Sequence, residues 1–239
     1  MSSSSPTVVL VHGAFADASS YAPVVRELLV AGVAVQAPAV PNRSLIGDAR
    51  YVASVVRQIE GPVLLVGHSY GGAVVTVAGV EENVAGVVYL SGYALEEGES
   101  LGELQGGFPD SQLPAALVYR DYPADDGSTG TDVYADPARF GTVIAHDVDP
   151  DLVAVLAVSQ RPLAAAAFSE KAPAAAWRTR PAWALVSSAD RTINPEVQRF
   201  GYSRAGIEAI EVDSSHMVIL SHPREVADLV VRALRELAG

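Results

Sequence analysis

The 239-residue sequence predicts an α/β protein with a doubly wound, mostly parallel six-stranded sheet and an inserted, mainly helical lid. Three observations support this prediction. Short apolar runs recur along the chain, segments with helical spacing separate them, and this alternation stops between about residues 93 and 181. Strands that are apolar on both faces are typical of a parallel sheet covered by helices on both sides. Alternating strands and helices give the doubly wound arrangement.

The first part of the chain alternates regularly between the two kinds of segment. Residues 21–31 place Val24, Val25 and Leu28 on one helical stripe, whereas residues 73–80 are small and apolar throughout, as in a buried helix. The predicted strands and helices, in order, are Thr7–Val11, Tyr21–Ala31, Val33–Val40, Ala49–Ile59, Val63–Val66, Ala73–Val80 and Val84–Leu90.

The same alternation resumes near the C-terminus, with predicted elements at Ala182–Val186, Pro195–Ser203, Ile207–Val212 and Arg224–Leu237. We therefore divide the chain into a core, residues 1–92 and 182–239, and an insertion, residues 93–181. The insertion holds an acidic, turn-rich piece, YRDYPADDGSTGTD, and a predicted helical stretch, Asp151–Phe168. Ligands of open α/β sheets bind at the carboxyl ends of strands, where this insertion starts and finishes, so we expect it to act as a lid.

The composition excludes several classes of function. The net charge of -12 argues against nucleic acid as a partner, because phosphate binding requires clustered Lys and Arg. The sequence has no Cys, which excludes disulfides, zinc–thiolate sites and a thiol nucleophile. No apolar run approaches the roughly 20 residues that cross a bilayer. The N-terminus, MSSSSPTVVLVHG, lacks the basic region of a signal peptide, so we expect a cytoplasmic protein with no membrane partner.

A candidate nucleophile lies in the stretch PVLLVGHSYGG, residues 62–72. Gly67-His68-Ser69-Tyr70-Gly71 fits the G-x-S-x-G pattern between a predicted strand and a predicted helix. In such a tight turn, the residues two before and two after the serine must lack side chains. The serine is then held in a strained conformation with its hydroxyl exposed at the tip. A bystander serine in a tight turn is the alternative.

A serine hydroxyl needs a base, for which histidine is the usual residue. Of the five histidines, His216 directly follows the last predicted strand and therefore returns to the edge that holds Ser69. The other four are His12 in the first loop, His68 within the turn, His146 in the lid and His222 before Pro223. His68 is too close to Ser69 in sequence to turn back on it.

The base needs an acid, and Asp190 ends the penultimate predicted strand in the order Ser, Asp, His. Asp213 competes for this role but is expected to point away, and Asp190 is alternatively a helix N-cap. An oxyanion requires two backbone donors. We expect one N–H from Tyr70 and one from Ala14, or from Phe15, after Gly13 in the first loop.

These motifs, VLVHGAF, GHSYGG, SSADRT and DSSHMVILSHP, resemble the α/β-hydrolase superfamily along the whole chain. Within it, the sequence is similar to the small lidded group of plant methylesterases, hydroxynitrile lyases and bacterial pyrethroid-hydrolase-like esterases. The resemblance implies a triad of Ser69, Asp190 and His216, with Ala14 and Tyr70 as oxyanion donors. It also implies a six-stranded core. The lyases carry Thr at the position of Gly13 and Lys at that of Met217, so these residues favour an esterase.

We therefore expect a serine carboxylesterase that forms an acyl-enzyme on a small to medium apolar ester and needs no cofactor or metal. The same triad also serves acyl transfer, lactone opening and C–C hydrolysis. A ligand-binding protein on a hydrolase scaffold is a hypothesis of a different class. Phe15, Tyr93 and Trp177 are candidate substrate contacts, and other lid aromatics, Tyr119, Tyr122 and Phe168, are further candidates. The oligomeric state is open, with a homodimer as one option.

Overall fold

The computed structural model describes residues 5–124 and 127–239. Its first part alternates strands and helices as the sequence predicts. The elements are β1 (Thr7–Val11), α1 (Ala22–Val30), β2 (Val35–Gln36), α2 (Leu45–Val56), β3 (Val63–His68), α3 (Tyr70–Ala78) and β4 (Val84–Leu90). Ser44 caps α2 by accepting a hydrogen bond from the N–H of Gly47, which explains why this helix begins four residues before the predicted start.

Residues 93–181, the predicted lid, lie between β4 and the fifth strand of the core sheet; we refer to them as the lid. It contains α4 (Leu101–Gly106), β5 (Leu117–Pro123), β6 (Thr129–Ala135), α5 (Pro137–Val143), α6 (Pro150–Val158) and β7 (Leu163–Ala164). Strands β5, β6 and β7 form an antiparallel sheet beside the helices. This sheet is not among the elements that the sequence pattern predicts.

The chain then returns to the core through β8 (Ala182–Ser187), α7 (Pro195–Arg204), β9 (Ala209–Val212), α8 (Val218–Ser221) and α9 (Pro223–Ala238). The core sheet has six parallel strands in the order β2-β1-β3-β4-β8-β9. The predicted fold class is therefore confirmed. Because all strands are parallel, the loops after β1, β3, β8 and β9 meet at one edge of the sheet, and those loops carry the candidate site residues.

Helices cover both faces of this sheet, as the solidly apolar strands require. Val9 and Leu65 face a core that includes residues of α2, α3 and α7. Their neighbours Leu10 and Val66 face a second core, which includes residues of α1 and α9. Alternate side chains of each strand thus enter opposite layers, so a polar substitution at either kind of position would be buried.

Two predicted segments differ from the structure. The predicted strand Val33–Val40 is reduced to the two residues of β2 at the sheet edge. The predicted helix Asp151–Phe168 is wrong beyond Val158, where α6 ends. Pro162 accounts for the second difference, because a proline disfavours helical backbone at the preceding residue and lacks the N–H of a helical hydrogen bond.

The turn-rich piece YRDYPADDGSTGTD forms most of a β-hairpin in the parts that are described. Tyr119 pairs with Val133 and Tyr122 with Gly130 across β5 and β6. The alternation of Tyr, Val and Thr with polar residues is a strand signal that the acidic turn residues obscured. Asp125 and Asp126 of this piece, and the N-terminal residues 1–4, lie outside the described residues.

Among the helices formed by residues 5–124 and 127–239, none combines the length and the apolar character needed to span a bilayer.

Candidate active site

Ser69 lies at the tip of the turn between β3 and α3, in a conformation that non-glycine residues rarely adopt. Its φ is 57° and its ψ is -124°, which stores backbone strain of about 1–3 kcal/mol. A Cβ on Gly67 would lie 2.3 Å from the carbonyl oxygen of Gly71, and one on Gly71 would lie 2.2 Å from that of Val11. Both positions therefore require glycine, as the motif predicts.

The backbone of Ser69 is fixed by hydrogen bonds on both sides. Its N–H donates to the carbonyl oxygen of Leu90 at 3.0 Å, and its own carbonyl oxygen accepts from Gly72 N at 2.9 Å and from Tyr93 N at 3.3 Å. The turn is thus tied to the end of the neighbouring strand, β4. This tie keeps the strained residue in place and directs the N-terminus of α3 toward the hydroxyl.

Asp190 and His216 form a direct pair at the same edge of the sheet. His216 Nδ1 lies 2.7 Å from Asp190 Oδ2, and both side chains are buried. Asp213, the competing acid, is exposed immediately after β9 and makes no described contact with the imidazole. The structure therefore pairs His216 with Asp190, the arrangement that the order of the motifs predicts.

Several donors surround the carboxylate of Asp190. Oδ1 accepts the backbone N–H groups of Thr192 at 2.7 Å and Ile193 at 3.0 Å, and Oδ2 also accepts the amide of Gln198 at 2.8 Å. Gln198 is buried, and its Oε1 accepts the N–H of Ser187 at 3.1 Å. Gln198 thus holds Asp190 from α7. The sequence does not predict this contact, because nothing in PEVQRF distinguishes this glutamine from a surface residue. Asp190 also caps the turn after β8, so the N-cap alternative and the role as partner of His216 are compatible.

His68, which is too close to Ser69 in sequence to act as its base, holds the backbone of His216. Its Nε2–H donates to the carbonyl oxygen of His216 at 2.7 Å, and the two rings lie 4.8 Å apart. Burial, together with the neighbouring His216, lowers the pKa of His68 to about 3. His68 is therefore a neutral structural donor, whereas His146 and His222 bond elsewhere, to Ala189 and Ser221.

The expected hydrogen bond between His216 and Ser69 is not formed in this structure. Within residues 5–124 and 127–239, His216 Nε2 makes no hydrogen bond to Ser69 Oγ. Catalytic hydrogen bonds are often long without substrate and tighten in the Michaelis complex. The geometry thus brings Asp190 and His216 together and holds Ser69 in the adjacent turn.

The loop after β1 packs directly on the nucleophile. A Cβ on Gly13 would lie 2.7 Å from Ser69 Cβ and 3.2 Å from its Oγ. The N–H of Phe15 already donates to the carbonyl oxygen of Arg161 in the lid, at 3.0 Å, so Phe15 is not available as an oxyanion donor. Of the two alternatives, Ala14 therefore remains, together with Tyr70 at the start of α3.

The side chain of Tyr70 fixes the second donor. Its hydroxyl donates to Asp48 Oδ2 at 2.7 Å, and both side chains are buried. Burial raises the pKa of Asp48, and burial next to this carboxylate raises the pKa of Tyr70. The first residue of α3 is thus anchored to α2, which restrains the N–H that follows the nucleophile.

The candidate substrate contacts lie at different distances from the nucleophile. Tyr93 is buried beside Ser69, and burial near the Asp190 carboxylate raises its pKa. Phe15 is buried in the core that includes lid residues of α5. Trp177 donates to the carbonyl oxygen of Leu95 at 2.8 Å, and its neighbour Ala176 packs on Gly79 at the C-terminal end of α3. Since Ser69 precedes α3, Trp177 lies at the opposite end of that helix and does not contact the nucleophile.

The remaining lid aromatics also lie apart from the nucleophile. Tyr119 is exposed on β5, and Arg43 lies over the ring of Tyr122. Phe168 packs against both apolar cores. None of these three has a described contact with Ser69, so their part in substrate binding stays a prediction.

Two of the cavities in the described structure lie away from Ser69. One of about 630 Å³ includes Arg57 and Asn83 at the amino ends of the strands, and one of about 420 Å³ lies between α5 and α6 in the lid. Ser69, which is 7% exposed, lines neither of them. In the described part of the chain, no three His, Asp or Glu side chains converge as metal ligands do.

The lid is bonded to the loops that carry the acid and the base. The hydroxyl of Thr192 donates to the carbonyl oxygen of Val143 in α5 at 3.0 Å. The N–H of Ser215 donates to the carboxylate of Asp147 at 2.8 Å. These bonds flank the Asp190–His216 pair, so the lid contributes to its position.

The chain belongs to the alpha/beta hydrolase family, whose model matches residues 8–229. It is 26% identical to a protein described as a probable hydrolase from a Phoma species, over 98% of each chain. Among solved structures, it is similar to a pyrethroid hydrolase from Sphingobium faniae, with a TM-score of 0.76, 21% identity and coverage of 96% and 97% of the two chains. A methylesterase from Arabidopsis matches with a TM-score of 0.79, 18% identity and coverage of 97% and 99%.

These likenesses confirm the resemblance that the motifs indicated, to a group that includes a pyrethroid hydrolase and a plant methylesterase. The chain is accordingly a hydrolase of the α/β class. At these identities the structural matches establish the fold alone, so the reaction and the substrate of this chain are taken up as a proposal.

Proposed function

We propose that this chain hydrolyses carboxylic esters through an acyl-enzyme on Ser69. The observation that carries the proposal is the buried Asp190–His216 pair at 2.7 Å, beside a serine held at the tip of a strained turn. A histidine so oriented presents its second nitrogen as a base, and a serine in this turn is the residue that such a base activates.

In the first half of the reaction, Ser69 Oγ attacks the ester carbonyl while His216 Nε2 takes its proton. The negative charge that develops on the carbonyl oxygen is held by the N–H groups of Ala14 and Tyr70. The imidazolium is stabilised by Asp190. It then gives its proton to the leaving alkoxide, so that an alcohol departs and the acyl group stays on Ser69.

In the second half, His216 takes a proton from water, and the resulting hydroxide attacks the acyl-enzyme. Collapse of this second tetrahedral intermediate releases the carboxylic acid and returns the proton to Ser69 Oγ. Every step uses side chains and backbone donors of this chain. We propose a small-molecule apolar ester as the substrate, since Phe15, Tyr93 and Met217, which flank the site residues in the sequence or contact Ser69, belong to the apolar cores.

The test is pre-steady-state kinetics with a chromogenic short-chain ester. We expect a burst of alcohol equal to the enzyme concentration, and labelling of Ser69 by a phosphonate. Ser69→Ala should abolish the burst, and Asp190→Asn should lower kcat about 10⁴-fold. Ser54→Ala, at a half-buried serine in α2 away from the site, is the matched control and should behave as the wild type. Normal turnover by Ser69→Ala would refute the proposal.

Acyl transfer to an alcohol is a second candidate, favoured by one observation. Ser69 is only 7% exposed, and a site that restricts water favours an alcohol acceptor. Product analysis with added alcohol separates the two reactions, because transfer yields a new ester whereas hydrolysis yields the free acid. Absence of phosphonate labelling would instead support the ligand-binding alternative.

A further inference from the structure

The carbonyl oxygen of Gly13, in the loop that packs on Ser69, is held by two buried side chains. His12 Nδ1 lies 3.0 Å from it, and Asn42 Nδ2 lies 3.2 Å from it. The N–H of Val40 donates to His12 Nε2 at 2.9 Å, so His12 carries its proton on Nδ1 and donates to Gly13. Burial lowers the pKa of His12, which keeps this ring neutral.

A fixed carbonyl oxygen also fixes the next N–H. The described chain has no cis peptide bond, so the Gly13–Ala14 peptide is trans and its C=O and N–H point in opposite directions. Because His12 and Asn42 hold the oxygen on one side, the N–H of Ala14 is directed to the other. This N–H is the one expected to bind the oxyanion.

Asn42 occupies its position at a cost to folding. It is fully buried, its φ is 58°, and its Oδ1 has no hydrogen-bond partner within the described chain. A buried amide with one end unsatisfied is unfavourable for stability. The Nδ2 group of Asn42, which donates to the carbonyl oxygen of Gly13, therefore accounts for an asparagine at this buried position.

The lid holds this arrangement from the opposite side. The N–H of Ala164 in β7 donates to the carbonyl oxygen of Asn42 at 2.9 Å, and the carbonyl oxygen of Arg161 accepts from Phe15 at 3.0 Å. One short lid segment, residues 161–164, thus bonds both to Phe15, which follows the Gly13–Ala14 peptide, and to Asn42, whose amide holds the carbonyl oxygen of that peptide.

We propose that Asn42 is a positioning residue for the oxyanion hole: its amide aims the N–H of Ala14, and the lid keeps the amide in place. This inference rests on the proposed function, because it concerns a donor that only a tetrahedral intermediate uses. A misdirected donor weakens binding of the transition state but leaves binding of the ground-state ester unchanged.

The test compares Asn42→Gly with Asn83→Ala. Glycine tolerates the positive φ of Asn42 while removing its amide. Asn83 also donates its side-chain amide to backbone carbonyl oxygens, those of Val56 and Ile59, but lies at the opposite edge of the sheet. A trifluoromethyl ketone, which forms an anionic hemiketal with an active serine, serves as the probe of the oxyanion hole.

We expect Asn42→Gly to lower kcat about 10- to 100-fold, with KM within about twofold of the wild type. The affinity for the trifluoromethyl ketone should fall by the same factor as kcat/KM. Asn42→Ala, which also removes the amide donor, should behave alike and serves if the glycine variant does not fold. Asn83→Ala should leave all three quantities unchanged.

Either of two results would overturn the inference. In the first, both Asn42 variants have the wild-type kcat/KM and the wild-type affinity for the ketone. In the second, KM rises while the affinity for the ketone is unchanged. Ser69→Ala, measured in parallel, separates this failure from that of the proposed function. If Ser69→Ala still turns over ester, the proposed function fails. If Ser69 is essential and Asn42 is not, only the positioning role fails.

Discussion

Replacement of His68 by glutamine should flatten the pH dependence of stability in the acid range. Burial lowers the pKa of His68 to about 3 from an ordinary value of 6.5. Between these values the unfolded chain binds a proton that the folded protein excludes, so stability falls as the pH is lowered. The contribution of the neutral ring is fully present above pH 6.5 and is lost progressively below it. Glutamine does not titrate, yet it keeps an N–H that can reach the carbonyl oxygen of His216.

The magnitude follows from the two pKa values. Each pH unit between them costs about 1.4 kcal/mol of unfolding free energy. At pH 5, which lies about 1.5 units below the unfolded pKa, the wild type should have lost about 2 kcal/mol through His68 alone, relative to pH 7. His12, whose pKa is also lowered by burial, adds to the loss in the same direction in both proteins.

The assay is urea unfolding of wild type and His68→Gln at several pH values from 5 to 8. The difference in unfolding free energy between the two proteins should be constant above about pH 7.5 and should shift by about 2 kcal/mol in favour of the variant at pH 5. The constant region is the internal control, since it contains every effect of the substitution except titration. Parallel curves over the whole range would refute the reasoning.

Two further substitutions test the site. Gly13→Ala should lower kcat at least about 100-fold, because its Cβ would lie 2.7 Å from that of Ser69; steady-state kinetics with unchanged kcat would contradict this contact. Gln198→Ala should destabilise the fold by about 2–4 kcal/mol in urea unfolding and lower kcat about tenfold, because it leaves Ser187 N and the Asp190 carboxylate short of partners. Ser203→Ala, on the exposed side of the same helix, is its control, and equal stability of the two variants would argue against the buried role of Gln198.

The core sheet of this protein can be predicted from its sequence because the apolar runs and the helical spacing between them agree with the observed fold. The apolar runs of β1, β3 and β4 end at the residues where the structure ends them, within one or two positions. The order of parallel strands then brings their loops together, so Asp190 and His216 could be paired from sequence although 26 positions separate them. Gly67 and Gly71 likewise predict the tight turn around Ser69, because a side chain at either position would clash with the backbone.

Other features depend on contacts that no local pattern encodes. The sequence does not distinguish the candidate donors Ala14 and Phe15. The structure does, because the N–H of Phe15 donates to the carbonyl oxygen of Arg161. Nothing around Asn42 signals its positive φ or its bond to Gly13. The hairpin of β5 and β6 was missed because its acidic turn residues outweighed the strand signal in the flanking Tyr, Val and Thr.

The bonds between the lid and the catalytic loops limit how this scaffold can diversify. Val143 and Asp147 hold the acid and base loops, and Arg161 and Ala164 hold the chain around the oxyanion peptide. A chimera that received the lid of a relative would need to keep these contacts or would lose the position of the Asp190–His216 pair. We therefore expect a change of substrate to come from lid side chains between these contacts, where the backbone can stay unchanged.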